Sequence, residues 1–330
     1  MVKVRIISDL HYTNGINGPD YGKTYKESSL WYYFGKKLQK KADVTLIAGD
    51  ICEGIRNHEL FLESFFPNQK VFFVDGNHLP YFKRIDGSEP VLSTLKNMLK
   101  AEFPKDHIKW NYLENDWVWI PFTNVAVIGS TFYTDYKYCD LTLEELNKKA
   151  KAWHTLFEFN GLKVGEFKPY EKLDTKTIKF ETMSEASNRL NDFRWGKENK
   201  FTMLSPEYYL KLHKIAKKEV KRCHDEILSI NPDAKIILMT HHCLSPKCIS
   251  EKYQKGLMNA SYTSDLEKWV DKELPGVRLV VSGHVHNRCD FKFGKRNVRY
   301  IINPCGYIPY NEPFNEPKFN PNLFIETDDL

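Results

Sequence analysis

The sequence predicts a layered α/β fold, and three observations support this prediction. Residues 1 to about 130 alternate between short apolar runs typical of strands and longer amphipathic segments typical of helices. The same alternation resumes over 235–330. The segment between them, 131–234, is rich in lysine and aromatic residues and interrupts the alternation. We therefore expect sheets covered by helices in one domain spanning 1–330, with 131–234 as a helical, aromatic-rich insertion.

The first region contains three predicted strand–helix units. Strands are expected at 3–7, 44–48 and 70–74. The first two helices are expected near 27–41 and 57–66. The third helix should begin at Ser88-Glu89-Pro90, because serine is a good N-cap and proline fits the first turn. A hairpin with Phe122-Thr123 at its turn should follow, joining 117–121 to 124–128.

Further strands and helices are predicted in the insertion and in the region that follows it. After the insertion we expect strands at 235–240 and 277–281, a helix near 263–273, and a hairpin over 289–302 that turns at Gly294. Within the insertion, helices are expected at 142–159 and 205–229, the second started by Ser205-Pro206. The stretch 160–203 has little periodicity, and we expect it to be a long excursion over the surface.

Composition describes a soluble globular protein. Hydrophobic residues make up 42% and charged residues 28%, and the net charge of +5 fits either an anionic substrate or lysines on solvated helix faces. Seven cysteines without C-x-x-C spacing argue against a disulfide framework or a zinc ribbon. No apolar run approaches the roughly 20 residues that span a bilayer, and no signal-peptide pattern precedes the first strand. We expect a cytoplasmic protein with no membrane partner.

Short polar strings follow the predicted strands. They are Asp9-Leu10-His11, Gly49-Asp50, Gly76-Asn77-His78, His241-His242 and Gly283-His284-Val285-His286. Asp, Asn and His supply oxygen and nitrogen donors, a set that favours Mn, Fe, Zn or a similar divalent ion. Seven candidate ligands are too many for one tetrahedral ion, and suit two ions that share a carboxylate. The candidates are Asp9, His11, Asp50, Asn77, His241, His284 and His286.

In this order the strings resemble the motifs of the calcineurin-like metallophosphoesterase superfamily. The resemblance covers about 1–130 and 235–310, and it implies a four-layer α-β-β-α sandwich with a dinuclear metal centre at the strand ends. It implies that one ion is held by Asp9, His11 and His286. The second ion would be held by Asn77, His241 and His284, and Asp50 would bridge the two. A metal-bound hydroxide would then attack phosphorus in line.

The resemblance also implies a catalytic residue and excludes one branch of the superfamily. His78 would protonate the leaving oxygen or stabilise the transition state, although Leu79 stands where the family usually has an acid. The string Gly49 to Arg56 lacks the phosphate-binding arginine of the G-D-x-V-D-R-G motif, which argues against a calcineurin-type protein phosphatase. Tandem His241-His242 and the Asn303-Pro304 string look more like uncharacterised bacterial and phage phosphoesterases.

Two further residues are candidates for substrate contact. Arg194 in the insertion would clamp phosphate, or would instead pair with Asp192 or lie in solvent. His242 would contact substrate or support a ligand, or have a plain structural role.

The expected substrate is a phosphorylated small molecule or nucleotide, cleaved as a monoester or a diester. One alternative is a nuclease, which would bind nucleic acid through a basic groove and the Lys/Tyr stretch 135–138. The other is a non-catalytic scaffold that keeps the fold for protein binding. The intact ligand set argues against the scaffold.

Overall fold

Two β-sheets form the centre of the protein. The computed structural model describes residues 1–12, 28–81, 90–159 and 166–330. In the first sheet, the strand order is β11-β1-β2-β3-β4. Its strands are β1 (Lys3–Ile7), β2 (Val44–Ala48), β3 (Lys70–Val74), β4 (Trp110–Tyr112) and β11 (Phe324–Glu326). Neighbours pair in parallel except at β11, so β1, β2 and β3 end at the same edge.

The second sheet has six strands in the order β5-β6-β7-β8-β10-β9. They are β5 (Asp116–Trp119), β6 (Val125–Ser130), β7 (Lys235–Thr240), β8 (Val277–Ser282), β9 (Cys289–Phe293) and β10 (Val298–Ile302). The four inner strands are parallel, and the outer strands β5 and β9 pair antiparallel. The two predicted hairpins are confirmed as β5–β6 and β9–β10.

The sheets pack face to face, and helices cover their outer faces. Side chains such as Ile6, Phe72, Val127 and Ile237 fill the space between the sheets. The first sheet is covered by α1 (Ser29–Leu38), α2 (Ile55–Phe65) and α3 (Leu92–Glu102). The second is covered by α7 (Pro206–Ile230) and α9 (Glu267–Glu273). Inner strands are buried on both faces, so their sequences are continuous apolar runs. This explains why these strands could be predicted from the sequence. The predicted α/β sandwich is confirmed.

The segment 131–234 contains more helix than its sequence pattern indicated. Its helices are α4 (Leu143–Phe159), α5 (Thr175–Arg189), α6 (Asp192–Trp195) and α7. The expectation of an irregular excursion over 160–203 was therefore wrong for α5 and α6, while 160–165 lies outside the described residues. Helix α5 buries mainly polar residues and has no apolar stripe, but the Asp174 side chain caps it by accepting from Thr177 N at 2.8 Å.

Two helix boundaries also differ from the prediction. Helix α3 begins at Leu92, two residues after Pro90, and the predicted cap Ser88 lies outside the described residues. The helix expected near 263–273 begins only at Glu267 as α9, because Thr263 is extended and bridges to Cys243. A separate short helix, α8 (Asn259–Tyr262), precedes it. Among the described helices, none has both the length and the apolar character needed to cross a membrane.

Candidate metal centre

The predicted ligands lie where strands of both sheets end. Asp9, Asp50 and Asn77 follow β1, β2 and β3, while His241 and His284 follow β7 and β8. Backbone hydrogen bonds join the first two loops, with Asp9 N donating to Gly49 O at 3.1 Å and His11 N to Asp50 O at 3.0 Å. The parallel strands thus bring polar residues that are distant in sequence to one site.

A late segment completes the site by binding beside β1. Ser8 N donates to Asn303 O at 3.2 Å, and Cys305 N donates back to Ser8 O at 2.9 Å. Gly306 N then donates to Asp9 O at 2.8 Å. These bonds extend the first strand's pairing and place Tyr307 over the site.

Five of the candidate ligands have left-handed backbone conformations. Their φ angles lie between 43° and 71°, and the residues are Asp9, His11, Asp50, His284 and His286. This conformation costs a non-glycine residue roughly 1–2 kcal/mol. Other described non-glycine residues such as Asn115 and Phe132 also adopt it, but five of the twelve belong to this one polar cluster. Such a concentration of strain is typical of a functional site, where the conformation turns side chains toward a common centre.

Two glycines allow the loops to approach one another. A Cβ at Gly283 would lie 2.5 Å from Ala48 O and 2.8 Å from Asp9 Oδ2, and one at Gly76 would collide with the Asp50 carboxylate. A side chain at either position would therefore push the loops apart. The glycines of the G-N-H and G-H-x-H strings are explained by this close packing.

The first group of ligand atoms comes from Asp9, His11 and His286, all within 4.8 Å of one another. His11 Nε2 lies 2.9 Å from His286 Nε2, which in turn lies 3.6 Å from Asp9 Oδ1. Asp9 Oδ2 is buried and has no hydrogen-bond partner in the described part of the chain. A buried carboxylate oxygen without a partner is costly unless a cation pairs with it. The three residues therefore fit a metal ion.

The second group of ligand atoms comes from Asp50, His241 and His284, which also lie within 4.8 Å of one another. His241 Nε2 lies 3.4 Å from Asp50 Oδ2 and 3.0 Å from Asn77 Oδ1. On its other side, His241 Nδ1 donates to Ala48 O at 3.1 Å, which leaves Nε2 free to ligate. Asp50 also belongs to a third group, with His11 and His78, so it lies between the two candidate positions.

The electrostatics of the cluster suit a cation. Burial, together with neighbouring histidines, holds the pKa of His11 and of His284 well below the usual value. Burial also disfavours charge on His241, but the Asp50 carboxylate outweighs it and raises the pKa of His241 to about 9. Conversely, His241 and His78 outweigh burial at Asp50 and hold its pKa well below the usual value. His11 and His284 are therefore neutral, the state in which an imidazole binds a metal, whereas His241 is a cation paired with Asp50 and would release its proton when a metal binds.

His78 is oriented by contacts that the sequence did not reveal. Its backbone N donates to Asp50 Oδ1 at 3.0 Å, and its Nε2 lies 3.0 Å from the hydroxyl of Tyr307. The imidazole packs on Tyr81 with ring centroids 4.2 Å apart, while Tyr307 stacks on His11 at 4.3 Å. The Tyr307 hydroxyl thus supplies a hydrogen-bond partner for the His78 ring.

Two acids, the half-buried Glu312 and the buried Asp192, also contact candidate ligands without having been predicted to do so. His286 Nδ1 donates to Glu312 Oε2 at 2.7 Å, and the same carboxylate oxygen accepts from Tyr307 N at 2.7 Å. Asp192 is only 2% exposed and accepts from Asn77 Nδ2 at 3.0 Å and from the hydroxyl of Tyr81. Burial raises the pKa of Asp192. Neither acid belongs to a motif.

A buried charge network lies behind the G-N-H loop. Lys96 on α3 is 8% exposed, and its Nζ lies 3.1 Å from Asp75 Oδ2 and 2.8 Å from Glu114 Oε1. The same ammonium donates to Thr131 Oγ1 at 2.7 Å. Because Asp75 directly precedes Gly76, this network anchors the loop that carries Asn77 and His78.

The two weaker candidates have different surroundings. Arg194 is exposed and its guanidinium donates to Asn188 O at 3.2 Å, while its neighbour Asp192 points inward, so the structure does not bring Arg194 to the cluster. His242 is buried, donates from Nδ1 to Thr131 O at 3.2 Å, and packs on His284 with ring centroids 4.4 Å apart. Burial lowers the pKa of His242 to about 3, so it is neutral beside a candidate ligand.

The stretch proposed for nucleic-acid binding is partly inaccessible. Tyr136 is buried in the core, and Lys137 pairs with Asp135 at 3.3 Å. This surface therefore offers less free positive charge and less aromatic area than its sequence indicated.

Comparisons with known proteins agree with this architecture. A sequence model of the calcineurin-like phosphoesterase family matches residues 2–288. Among solved structures, the chain is similar to a phosphopantetheinyl hydrolase from Mycobacterium tuberculosis, with 16% identity and a TM-score of 0.58. That likeness covers 99% of this chain and 96% of the other, and at this identity it shows a shared fold. No curated protein matches the chain.

Proposed function

Because the chain belongs to the calcineurin-like phosphoesterase family and is a metal-dependent phosphoester hydrolase, we propose that it cleaves a phosphomonoester or phosphodiester at a dinuclear centre. The proposed substrate is a phosphorylated small molecule or nucleotide. The observation that carries the proposal is the convergence of three overlapping groups of ligand atoms, each within 4.8 Å. Overlapping groups that share Asp50 and His11 favour two adjacent ions over one.

We assign the ligands in two sets. Asp9, His11 and His286 would hold one ion, and Asn77, His241 and His284 the other, with Asp50 contacting both. The orphaned Asp9 Oδ2 supports the first set, and the Ala48 carbonyl that orients His241 supports the second. The donors are imidazole nitrogens and carboxylate and amide oxygens, which suit Mn, Fe or Zn.

When bound, the two ions would activate water and neutralise the phosphoryl oxygens. The chain itself would position the leaving group through His78 and Tyr307. Their Nε2 and hydroxyl groups lie 3.0 Å apart beside Asp50, and each group donates and accepts hydrogen bonds in its neutral form. We propose that this pair delivers a proton to the leaving oxygen, with His78 as the catalytic residue.

We also propose where the protein acts and what limits its substrates. All seven cysteines are free thiols in the described residues, which supports a reducing, cytoplasmic location. The part of 131–234 before α7 would form a cap over the site, because Asp192 on α6 reaches Asn77 from that segment. The cap would then set the choice of substrate.

The first test measures metal content and turnover of the same preparation. We expect about two Mn ions per chain by elemental analysis, together with hydrolysis of p-nitrophenyl phosphate or bis-p-nitrophenyl phosphate. Asp50→Ala should abolish hydrolysis while the circular dichroism spectrum stays unchanged. Asp135→Ala is the matched control, since that buried acid pairs with Lys137 away from the cluster. A folded Asp50→Ala protein with full activity would contradict the assignment.

The second test addresses the substrate. A screen of phosphorylated metabolites with the Mn-loaded protein should identify a small molecule or nucleotide and separate monoesters from diesters. Cleavage of DNA or RNA, with binding that weakens steeply as salt rises, would instead support the nuclease alternative.

A further inference from the structure

We propose that Asp192 is a positioning residue that fixes the orientation of the Asn77 amide and so makes metal binding depend on docking of the segment 192–204. This inference rests on the proposed role of Asn77 as a metal ligand. It is motivated by a buried acid, outside every motif, that contacts a candidate ligand directly.

The first step concerns which amide atom faces the cluster. Asn77 Nδ2 donates to Asp192 Oδ1 at 3.0 Å, and Asn77 Oδ1 lies 3.0 Å from His241 Nε2. The same Asp192 Oδ1 also accepts from the Tyr81 hydroxyl, so toward Asn77 it is a hydrogen-bond acceptor. A flipped amide would place its oxygen against the carboxylate and its NH₂ group toward the ions. Asp192 therefore selects the orientation that presents oxygen to the metal.

The second step concerns what holds Asp192 in place. Tyr81 donates its hydroxyl to the oxygen of Asp192 that Asn77 also contacts, and Asn77 Nδ2 lies 3.3 Å from the Tyr81 hydroxyl. Tyr81 is in turn fixed by its backbone N, which donates to His78 O at 2.9 Å. The acid is thus part of a closed network with the loop that carries both Asn77 and His78.

The third step concerns how the segment presents the acid. Lys197 exchanges two backbone hydrogen bonds with 90–92, at 3.0 and 2.9 Å. Gly196 packs so closely on Pro80 that an added Cβ would lie 3.1 Å from it. The chain that follows Asp192 is therefore seated against the region that follows the G-N-H string. If this seating is lost, the acid leaves the amide.

The expected effect is on metal affinity. Replacing a residue that orients a metal ligand typically weakens metal binding by about 10- to 100-fold. We expect Asp192→Ala to weaken one of the two Mn binding events by this factor and to leave the other within about twofold. Asp192→Asn should recover part of the loss, because its amide oxygen still accepts from Asn77 Nδ2.

The experiment titrates the metal-free full chain with MnCl₂ by isothermal calorimetry and follows thermal unfolding of the same samples. Glu185→Gln is the matched control: Glu185 is a buried acid at 7% exposure on α5, and it pairs with Arg189 at 2.8 Å instead of with a candidate ligand. We expect the control to bind Mn like the unmodified protein. Calorimetry reports binding directly, without relying on turnover.

The outcomes separate this inference from the proposed function. If the unmodified protein binds no Mn, the proposed metal centre fails. If it binds two ions and Asp192→Ala binds them equally well, the positioning role is overturned while the metal centre stands. Equal weakening of both ions by the alanine and asparagine variants, with a lowered unfolding midpoint, would assign Asp192 a purely structural role and also overturn the inference.

Discussion

Replacing Lys96 with methionine should destabilise the protein by about 3 kcal/mol, because it would leave the buried Asp75 and the mostly buried Glu114 without their cation. Lys96 Nζ contacts Asp75 Oδ2 at 3.1 Å and Glu114 Oε1 at 2.8 Å, and the Asp75 side chain is fully buried. Methionine preserves the length and apolar volume of the lysine stem, so the change removes charge with little loss of packing.

The magnitude follows from the hydrogen bonds that remain. Removing one partner of a buried ion pair costs about 3–5 kcal/mol. Here Asp75 keeps hydrogen bonds from the Tyr112 hydroxyl at 2.7 Å and Thr131 Oγ1 at 2.6 Å. Glu114 keeps one from Thr131 N at 2.8 Å. Because both acids stay partly satisfied, we expect the lower end of that range.

The assay is equilibrium unfolding in urea at pH 7.5. Burial lowers the pKa of Lys96, but Asp75 and Glu114 outweigh it, and the net shift is upward. The contribution of Lys96 to the free energy of unfolding is therefore complete below the ordinary lysine pKa, and is lost only as the pH rises through the higher folded value. At pH 7.5 the full effect should be measured as a lower urea midpoint with an unchanged slope.

The matched control is Lys105→Met. Lys105 is 56% exposed and lies 3.3 Å from Asp116, so the same substitution removes a surface ion pair. Such pairs contribute about 0–1 kcal/mol. If Lys96→Met lowers the free energy of unfolding no more than Lys105→Met does, the buried network does not have the role inferred from its geometry.

Two more predictions concern groups that orient the candidate site. Glu312→Gln should weaken Mn binding about 10- to 100-fold, because His286 Nδ1 loses its carboxylate partner at 2.7 Å. Isothermal calorimetry measures the dissociation constant of Mn. An unchanged constant would show that the Glu312 carboxylate does not orient His286. Tyr307→Phe should lower kcat about fivefold with KM nearly unchanged and alter the pH–rate profile, since one hydrogen bond to His78 is worth about 1 kcal/mol. Retention of both kcat and the pH profile would show that Tyr307 does not orient His78.

The inner strands could be predicted from the sequence for a physical reason. Strands buried on both faces are continuous apolar runs, so a polar string such as Asp9-Leu10-His11 marks where a strand ends. Parallel strands end at one edge, and this places the strings side by side. The short edge strands β4 and β11 were missed because three residues show no periodicity.

The residues that support the candidate ligands could not be predicted from the sequence pattern. Asp192 lies 115 positions from Asn77, and Glu312 lies 26 positions from His286. Each contact depends on how one segment packs against another, and no local pattern encodes such packing. Helix α5 was missed because it buries acids and threonine instead of an apolar stripe.

The pairing of β1 with the segment 303–306 has a consequence for the order in which the protein matures. Chains are synthesised from the N-terminus at about 5–20 residues per second, and early regions fold before later ones emerge. Asp9 would then lack two of its neighbours until late in synthesis, because His286 is synthesised 277 residues later and the hydrogen bond from Gly306 forms later still. The proposed first metal position would be complete only after the last strand of the second sheet, β10, has emerged. Metal loading at that position would therefore come late in biosynthesis.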